Sequence, residues 1–240
     1  MILAAGRGER MRPLTDHCPK PLLPVGGKPL IVHHIERLRA AGFTHIVINH
    51  AHLGWMIPDA LGDGRAFGVA LHYSAEDTAL ETAGGIRQAL PLLGPAPFVV
   101  VNGDIHCDFD LRTMRDRPPP DGRTLLAHLV LVPNPPHHPQ GDFILAGGRV
   151  GPRPTEEASG CGQQPLAAAQ IAHTFSGIGL YHPALFADLP AGARAPLGPL
   201  LRAAGAAGQV AGELHAGHWE DVGTPERLAA LEARLRSLRY

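Results

Sequence analysis

The sequence predicts an α/β fold: a mixed, mostly parallel sheet flanked by helices, with a small antiparallel part in its second half. Two observations carry this. Over residues 1–110 short apolar runs alternate with segments of helical period, the pattern of strand-helix-strand units around a parallel sheet. From residue 124 onward the alternation stops, and long strand-like runs are joined by a glycine turn.

Taken in order, MILAA reads as a first buried strand, and GRGERMRPL as a loop with a short helical start. Leu30, Ile31, His34, Ile35, Leu38 and Ala41 then fall at helical spacing behind Pro29, with Gly42 as the stop. HIVIN (45–49) is a strand, Trp55 to Leu61 a helix, VALHYS a strand, GGIRQAL a glycine-led helix and PFVVVN a strong strand ending at Gly103-Asp104. In the second half TLLAHLVLV is a long strand, DFILAGGRV a hairpin turning at Gly147-Gly148, and IAHTFSGIGLYH another strand. Gly151 to Gln170 has the composition of a mobile loop. A helix in PLGPLLRAAGAAG, a strand near QVAGELH and the segment HWEDVGT follow. The last helix has Thr224 as cap, Pro225 in its first turn and an apolar stripe of Leu228, Leu231, Leu235 and Leu238 for core packing.

Composition narrows the function. A chain of 240 residues, 45% hydrophobic and 18% charged, holds one domain with a packed core. A formal net charge of -1 supplies no general field for nucleic acid or an anionic membrane, so any anion must meet a local cluster of cations. No segment approaches membrane length or a signal-peptide core. The three cysteines, Cys18, Cys107 and Cys161, are widely spaced and lack a C-x-x-C pair, which speaks against a disulfide framework or zinc and for a reducing cytoplasm. Fifteen histidines are scattered without metal spacing. With no long apolar surface stripe, a monomer is expected.

In an open α/β sheet ligands bind outside the carboxyl ends of the strands, where GRGER, NHAHLG and NGDIHCD lie. The first loop fits neither common phosphate template. Gly6 and Gly8 are followed by Met11 where a dinucleotide fingerprint needs a third glycine, and the second strand closes on Asn49 instead of an acid. Gly26-Gly27-Lys28 is followed by Pro29, which has no hydroxyl for a P-loop. There remains a glycine-bearing loop whose N–H groups can line an anion, with Arg7, Arg10 and Arg12 beside it and Lys20 within reach.

LAAGRGERMRPLT followed by PKPLLPVGGKPL resembles the signature of the sugar-phosphate nucleotidyltransferases, which join a nucleoside triphosphate to a sugar 1-phosphate. INHAHLG, LETAGGI, VVNGDI, the GDF of Gly141 to Phe143, TFSGI and HWEDVGT extend the resemblance over nearly the whole chain. They resemble the short N-acetylmuramate 1-phosphate uridylyltransferases of peptidoglycan recycling. The resemblance implies the Rossmann-like nucleotidyltransferase fold as one domain over 1–240, with a nucleotide-binding half (1–110), a sugar-binding half (111–223) and a C-terminal helix (224–240). UTP, a sugar 1-phosphate and Mg2+ are the implied partners. No hexapeptide-like repeat follows, so no β-helical acetyltransferase part is expected.

The acceptor phosphate in such a reaction is already mostly dianionic near neutral pH, so no general base is required. The obstacle is electrostatic, because an anion attacks a polyanion. By the resemblance Arg10 holds the β and γ phosphates, Lys20 reaches the α-phosphate and the incoming phosphate, and Asp104 and Asp221 bind the metal. Leu3, Ala4, Ala5, Gly6 and Gly8 would hold the nucleoside and phosphates through backbone groups. Glu81, Thr82 and Gly84 flank base and ribose, Asn102 and Gly103 lie near the ribose, and Asp142, Ser176 and Gly177 face the acceptor sugar. Other readings stay open at particular residues. Arg7 and Arg12 are equally surface charges, Asp142 a turn residue, Glu81 a solvated acid. Asp110 reads as a helix cap, Trp219 as packing and His137-His138 as loop.

Two departures from the family are visible: few residues precede the motif strand, which makes that strand short or the true start an upstream one, and Gly151 to Gln170 is longer than its counterpart. Open alternatives are a mannose-1-phosphate guanylyltransferase, a glucose-1-phosphate thymidylyltransferase, and a regulatory protein that binds nucleotide-sugar without turnover.

Overall fold

A computed structural model describes residues 1–153 and 171–237. Its strands are β1 (Ile2–Leu3), β2 (Pro24–Val25), β3 (Lys28–Pro29), β4 (His45–His50), β5 (Ala70–Ala75), β6 (Phe98–Asn102), β7 (Ile105–Cys107), β8 (Ala127–Val132), β9 (Phe143–Ala146), β10 (Arg149–Pro152), β11 (Ala172–Tyr181), β12 (Val210–Leu214) and β13 (Trp219–Asp221). Its helices are α1 (Leu30–Ala40), α2 (Met56–Leu61), α3 (Glu81–Leu93), α4 (Arg112–Asp116), α5 (Leu197–Ala206) and α6 (Pro225–Ser237).

Nine strands form one sheet in the order β5-β4-β1-β6-β11-β8-β12-β10-β9. The first four are mutually parallel, β11 runs antiparallel to both neighbours, and β12 is parallel to β8. The predicted mixed α/β sheet and its antiparallel second part are thus both present, although the expected parallel majority holds only over the first four strands. Within the parallel part the chain steps from β1 outward to β4 and β5, then returns to place β6 on the other side of β1. That reversal is the topological switch point, where loops diverge and leave a crevice.

The continuous apolar run of β6 follows from its position, since both faces of the sheet are covered. Val99 and Val101 pack with Ile31, Ile35, Ile46 and Ile48 on one face, while Phe98 and Val100 pack with Ile86, Phe186, Leu201 and Val210 on the other. A separate small core joins α6 to the β2-β3 hairpin through Val25, Leu30, Val222 and Leu231. Leu228 and Leu235 of the expected stripe pack against it; Leu238 lies outside the described residues.

Several element boundaries differ from the sequence reading. The helix expected at GGIRQAL begins three residues earlier, at Glu81, because the Ala83 and Gly84 amides donate to Ala195 O and are capped by tertiary contact. NGDIHCD and HWEDVG, read as irregular, each contribute a strand, β7 and β13, which pair only with one another (Asp221 opposite Ile105). Strands of three residues carry too little pattern to be seen alone. The hairpin turns at Gly147-Gly148 as expected, both with positive φ (56° and 76°). Of the segment expected to be a mobile loop, Gly151 and Pro152 belong to β10 and 154–170 lie outside the described residues. No helix among the described residues is long and apolar enough to cross a membrane.

His34 of α1 is 2% exposed, and its Nε2 has no hydrogen-bond partner. Burial, with Arg37, His106 and His33 adding and Asp104 opposing, pushes its pKa down to about 3. The folded protein therefore holds this ring neutral where the unfolded chain, at about 6.5, takes up a proton, so stability falls as pH drops below 6.5. Between pH 6.5 and 4 the parent protein is expected to lose about 1.4 kcal/mol per pH unit more than His34→Gln. Urea denaturation at stepped pH checks this, and parallel curves for the two proteins would count against it.

Candidate active site

Leu3 of β1 lies in register with Asn49 of β4 on one side and Asn102 of β6 on the other. The three following loops consequently leave the sheet side by side and surround a cavity of about 620 Å3. Of the residues predicted from sequence, Leu3, Ala4, Ala5, Gly6, Gly8, Arg10, Lys20, Glu81, Thr82, Asn102, Gly103 and Asp104 line it. Gly84 sits just behind, where a Cβ would stand 2.3 Å from Ala193 O.

The loop after β1 is shaped for an anion. Gly8 adopts φ 67° and starts a tight turn over Glu9–Met11, with its carbonyl accepting from the Thr15 hydroxyl at 2.8 Å. The amides of Gly6, Arg7 and Gly8 donate to no described group, and all three residues line the cavity. A Cβ on Gly6 would meet no protein atom within 4 Å; the space it would take is cavity.

The arginines separate by their partners. Arg12 is engaged by Asp16 at 2.6 Å, and Arg7 lies 3.8 Å from Glu9. Arg10 has no ion-pair partner among the described residues and is the unspent cation of the loop. Lys20, 8% exposed, donates to Asp104 Oδ2 at 2.8 Å. The buried member of this pair is the lysine, for the Asp104 side chain is 44% exposed.

Asp221, 117 positions further along the chain, does not line the cavity but reaches its margin. The β7-β13 ribbon sets it opposite Ile105, and Val222 N donates to Asp104 O at 2.7 Å. Arg227 Nη1 donates to Asp221 Oδ2, and His137 Nε2 stands 2.9 Å from Oδ1, which is buried without a properly directed hydrogen bond. An orphaned buried carboxylate oxygen beside a second acid, on adjoining backbone, fits a hard divalent cation such as Mg2+ that takes oxygen ligands. Asp104 and Asp221 are the residues that would hold it.

The sugar-facing predictions lie outside the cavity lining. Asp142 accepts from Phe175 N at 2.8 Å and faces His138 Nε2 at 3.0 Å. Ser176 is fully buried with its hydroxyl accepting from Ile178 N, so this side chain serves a bulge in β11 instead of facing a sugar. Gly177, at φ 84°, lays its backbone against the Asn102 side chain. The alternative readings fare variously: Asp110 receives the Arg112 amide at the start of α4, and Trp219 packs in the core and donates to Ser176 O. His137 and His138 lie in a loop as read, between β8 and β9, and from there touch Asp221 and Asp142.

Sequence reasoning missed the support beneath the cavity. Asn49 Oδ1 accepts from Ala4 N (2.9 Å), its Nδ2 donates to Glu76 Oε1 (2.7 Å), and Glu76 Oε2 accepts from Leu80 N (2.8 Å). Both side chains are almost wholly buried. This chain fixes the start of the glycine loop to the entry of α3 across the crevice. Polar residues closing two parallel strands were the available signal. Glu81, at the α3 entry, has φ 60° and pairs with Arg194 at 2.8 Å across the cavity rim. Cys107, Asp108 and His215 also lie close together, yet His215 is satisfied by Asp108 at 2.7 Å and burial pushes the Cys107 thiol up to about 11.

Residues 1–141 match the family model described as nucleotidyl transferase. The chain is 53% identical to the N-acetylmuramate alpha-1-phosphate uridylyltransferase of Neisseria meningitidis, over 97% of this chain and 96% of that one. It is 34% identical to the enzyme of the same name from Caulobacter vibrioides, over 98% and 96%. Among solved structures, one from Bacillus anthracis described as a glucose-1-phosphate thymidylyltransferase superposes with a TM-score of 0.80 at 24% identity, covering 100% of this chain and 95% of that one, a likeness of fold.

Replacing Asn49 by Ala strands the Ala4 amide and a Glu76 oxygen in the interior, which costs about 1–3 kcal/mol. Asn49→Ala is expected to melt lower and bind nucleoside triphosphate more weakly; unchanged melting and unchanged affinity together would refute the supporting role.

Proposed function

The chain belongs to the nucleotidyl transferase family, and from that premise we propose that it transfers a uridylyl group from UTP to N-acetylmuramic acid 1-phosphate. The products are the UDP-sugar and pyrophosphate, the cofactor is Mg2+, and the setting is peptidoglycan recycling in the cytoplasm. The observation that carries this reading is the 53% identity to the meningococcal uridylyltransferase over 97% of this chain. The cavity supports the chemistry, since one unpaired arginine, one buried lysine and two acids gather around free backbone donors.

In this reading residues 1–110 hold the nucleotide, residues 111–223 face the sugar, and the helix from 224 onward closes the domain over 1–240. The uridine lies along Leu3, Ala4 and Ala5, with Glu81, Thr82 and Gly84 across the crevice and Asn102 and Gly103 toward the ribose. The amides of Gly6 and Gly8 meet phosphate oxygens. Arg10 binds the β and γ phosphates through its planar fork and stabilises pyrophosphate as the bond from the α-phosphorus to the bridging oxygen breaks. Lys20 leaves Asp104 to reach the α-phosphate and the attacking sugar phosphate, and orients one to the other. Asp142 and the Ser176-Gly177 turn shape the acceptor side through backbone. A bound magnesium ion supplies charge neutralisation and polarisation of phosphate oxygens, held by Asp104 and Asp221.

Pyrophosphate release across a panel of triphosphates and sugar 1-phosphates tests this. UTP with N-acetylmuramic acid 1-phosphate is expected to be fastest and to stop on chelation of metal; a faster pair would reassign the substrates, and no metal-dependent turnover with any pair would end the enzyme reading. Asp104→Ala and Arg10→Ala are each expected to lower kcat by about 10²–10³-fold, as loss of a group serving the transition-state charge does. Full activity in either variant would remove that residue's role.

A further inference from the structure

None of the roles above uses Arg227, yet it is the side chain most closely tied to the site's second acid. It lies in the first turn of α6. Its Nη1 contacts Asp221 Oδ2, lies 3.3 Å from the Asp221 carbonyl oxygen, and stands 3.1 Å from His137 Nε2. Its Nη2 and that of Arg10 each come within 3.2 Å of the point where Gly223 would carry a Cβ, and Gly223 lines the cavity. Asp221 Oδ2 is also 3.2 Å from that point, so Arg227 shares one corner with the acid and with Arg10, and its side chain is 21% exposed.

Two carboxylates on adjoining backbone repel one another when no cation is near. Each acid here has its own: Lys20 for Asp104 and Arg227 for Asp221. A guanidinium carries a permanent charge and directs its N–H groups at carboxylate lone pairs, the same lone pairs a divalent ion requires. With Arg227 on Oδ2, a cation on the remaining oxygen, Oδ1, would share one carboxylate with a guanidinium and bind against its charge.

We infer that Arg227 is a positioning residue that acts as the resident counter-ion of Asp221, holding the carboxylate in place in the metal-free protein and competing with the divalent cation for it. The inference rests on the reading of Asp221 as a metal ligand. Its consequence is that free metal binds weakly to the resting site, and that a metal arriving with the polyanionic triphosphate, which itself attracts the displaced guanidinium, binds well.

Titration of the full-length, nucleotide-free protein with Mn2+, followed by electron paramagnetic resonance, tests the competition without turnover. Arg227→Met, which keeps length and loses charge, is expected to bind Mn2+ about tenfold more tightly than the parent protein, a change of about 1.4 kcal/mol. Arg227→Lys is expected to stay within about twofold of it. Asp221→Asn is expected to bind at least tenfold more weakly. A side chain with a merely structural role would weaken metal binding when removed, so tighter binding is diagnostic. Equal or weaker Mn2+ binding by Arg227→Met, with Asp221→Asn still impaired, overturns the counter-ion role. Unimpaired binding by Asp221→Asn overturns the metal reading beneath it. Arg227→Gln repeats the measurement with a polar, uncharged head should the methionine variant not fold, and is judged by the same outcomes.

Discussion

Everything at the site depends on the central position of β1. Its two residues are paired on both sides, and the register that aligns Leu3 with Asn49 and Asn102 brings three loop exits into one row. A two-residue strand has little hydrogen bonding of its own, so its position is set by its neighbours. Asn49 extends that control beyond the ladder by capturing the Ala4 amide, at the point where the chain leaves the sheet and becomes a phosphate loop. An anion site made of main-chain N–H groups is only as well formed as the backbone that holds it, and here the backbone is held by a buried polar chain ending in Glu76.

Electrostatics divides the site into spent and unspent charge. Arg12, Lys20 and Arg227 have carboxylate partners, while Arg10 has none among the described residues. The acids are likewise engaged, Asp104 by a buried lysine and Asp221 by an arginine and a histidine. Substrates that bring their own negative charge meet one cation ready at once and others that must first exchange partners. Under the proposed function, a ligand that carries both metal and phosphate would meet the groups so released.

Much of this was legible in the sequence. The alternation of apolar runs located the parallel strands, and the glycine-arginine loop stood out because two standard phosphate templates failed on identifiable residues, Met11 and Pro29. Asp104 and Asp221 could be paired only through family resemblance, since the ribbon that unites them consists of three-residue strands with no periodic signal. Long-range partnerships were invisible for the same physical reason: Arg227 with Asp221, His137 with both, and Asn49 with Ala4 depend on tertiary placement that local pattern does not encode. The use of the Ser176 hydroxyl was equally hidden, since it is taken up by the backbone of the strand that carries it.

The β7-β13 ribbon also bears on how the molecule is made. Its first strand is synthesised before the middle of the chain, its second only near the end, and the small core that anchors α6 draws on Val25 and Leu30 from the beginning. Until residues 219–221 have met residues 105–107, the chain holds Asp104 without Asp221 on the adjoining strand. The ribbon thus ties the placement of the second acid to the folding of the chain from end to end, and a chain cut before residue 219 would lose both the ribbon and its acid.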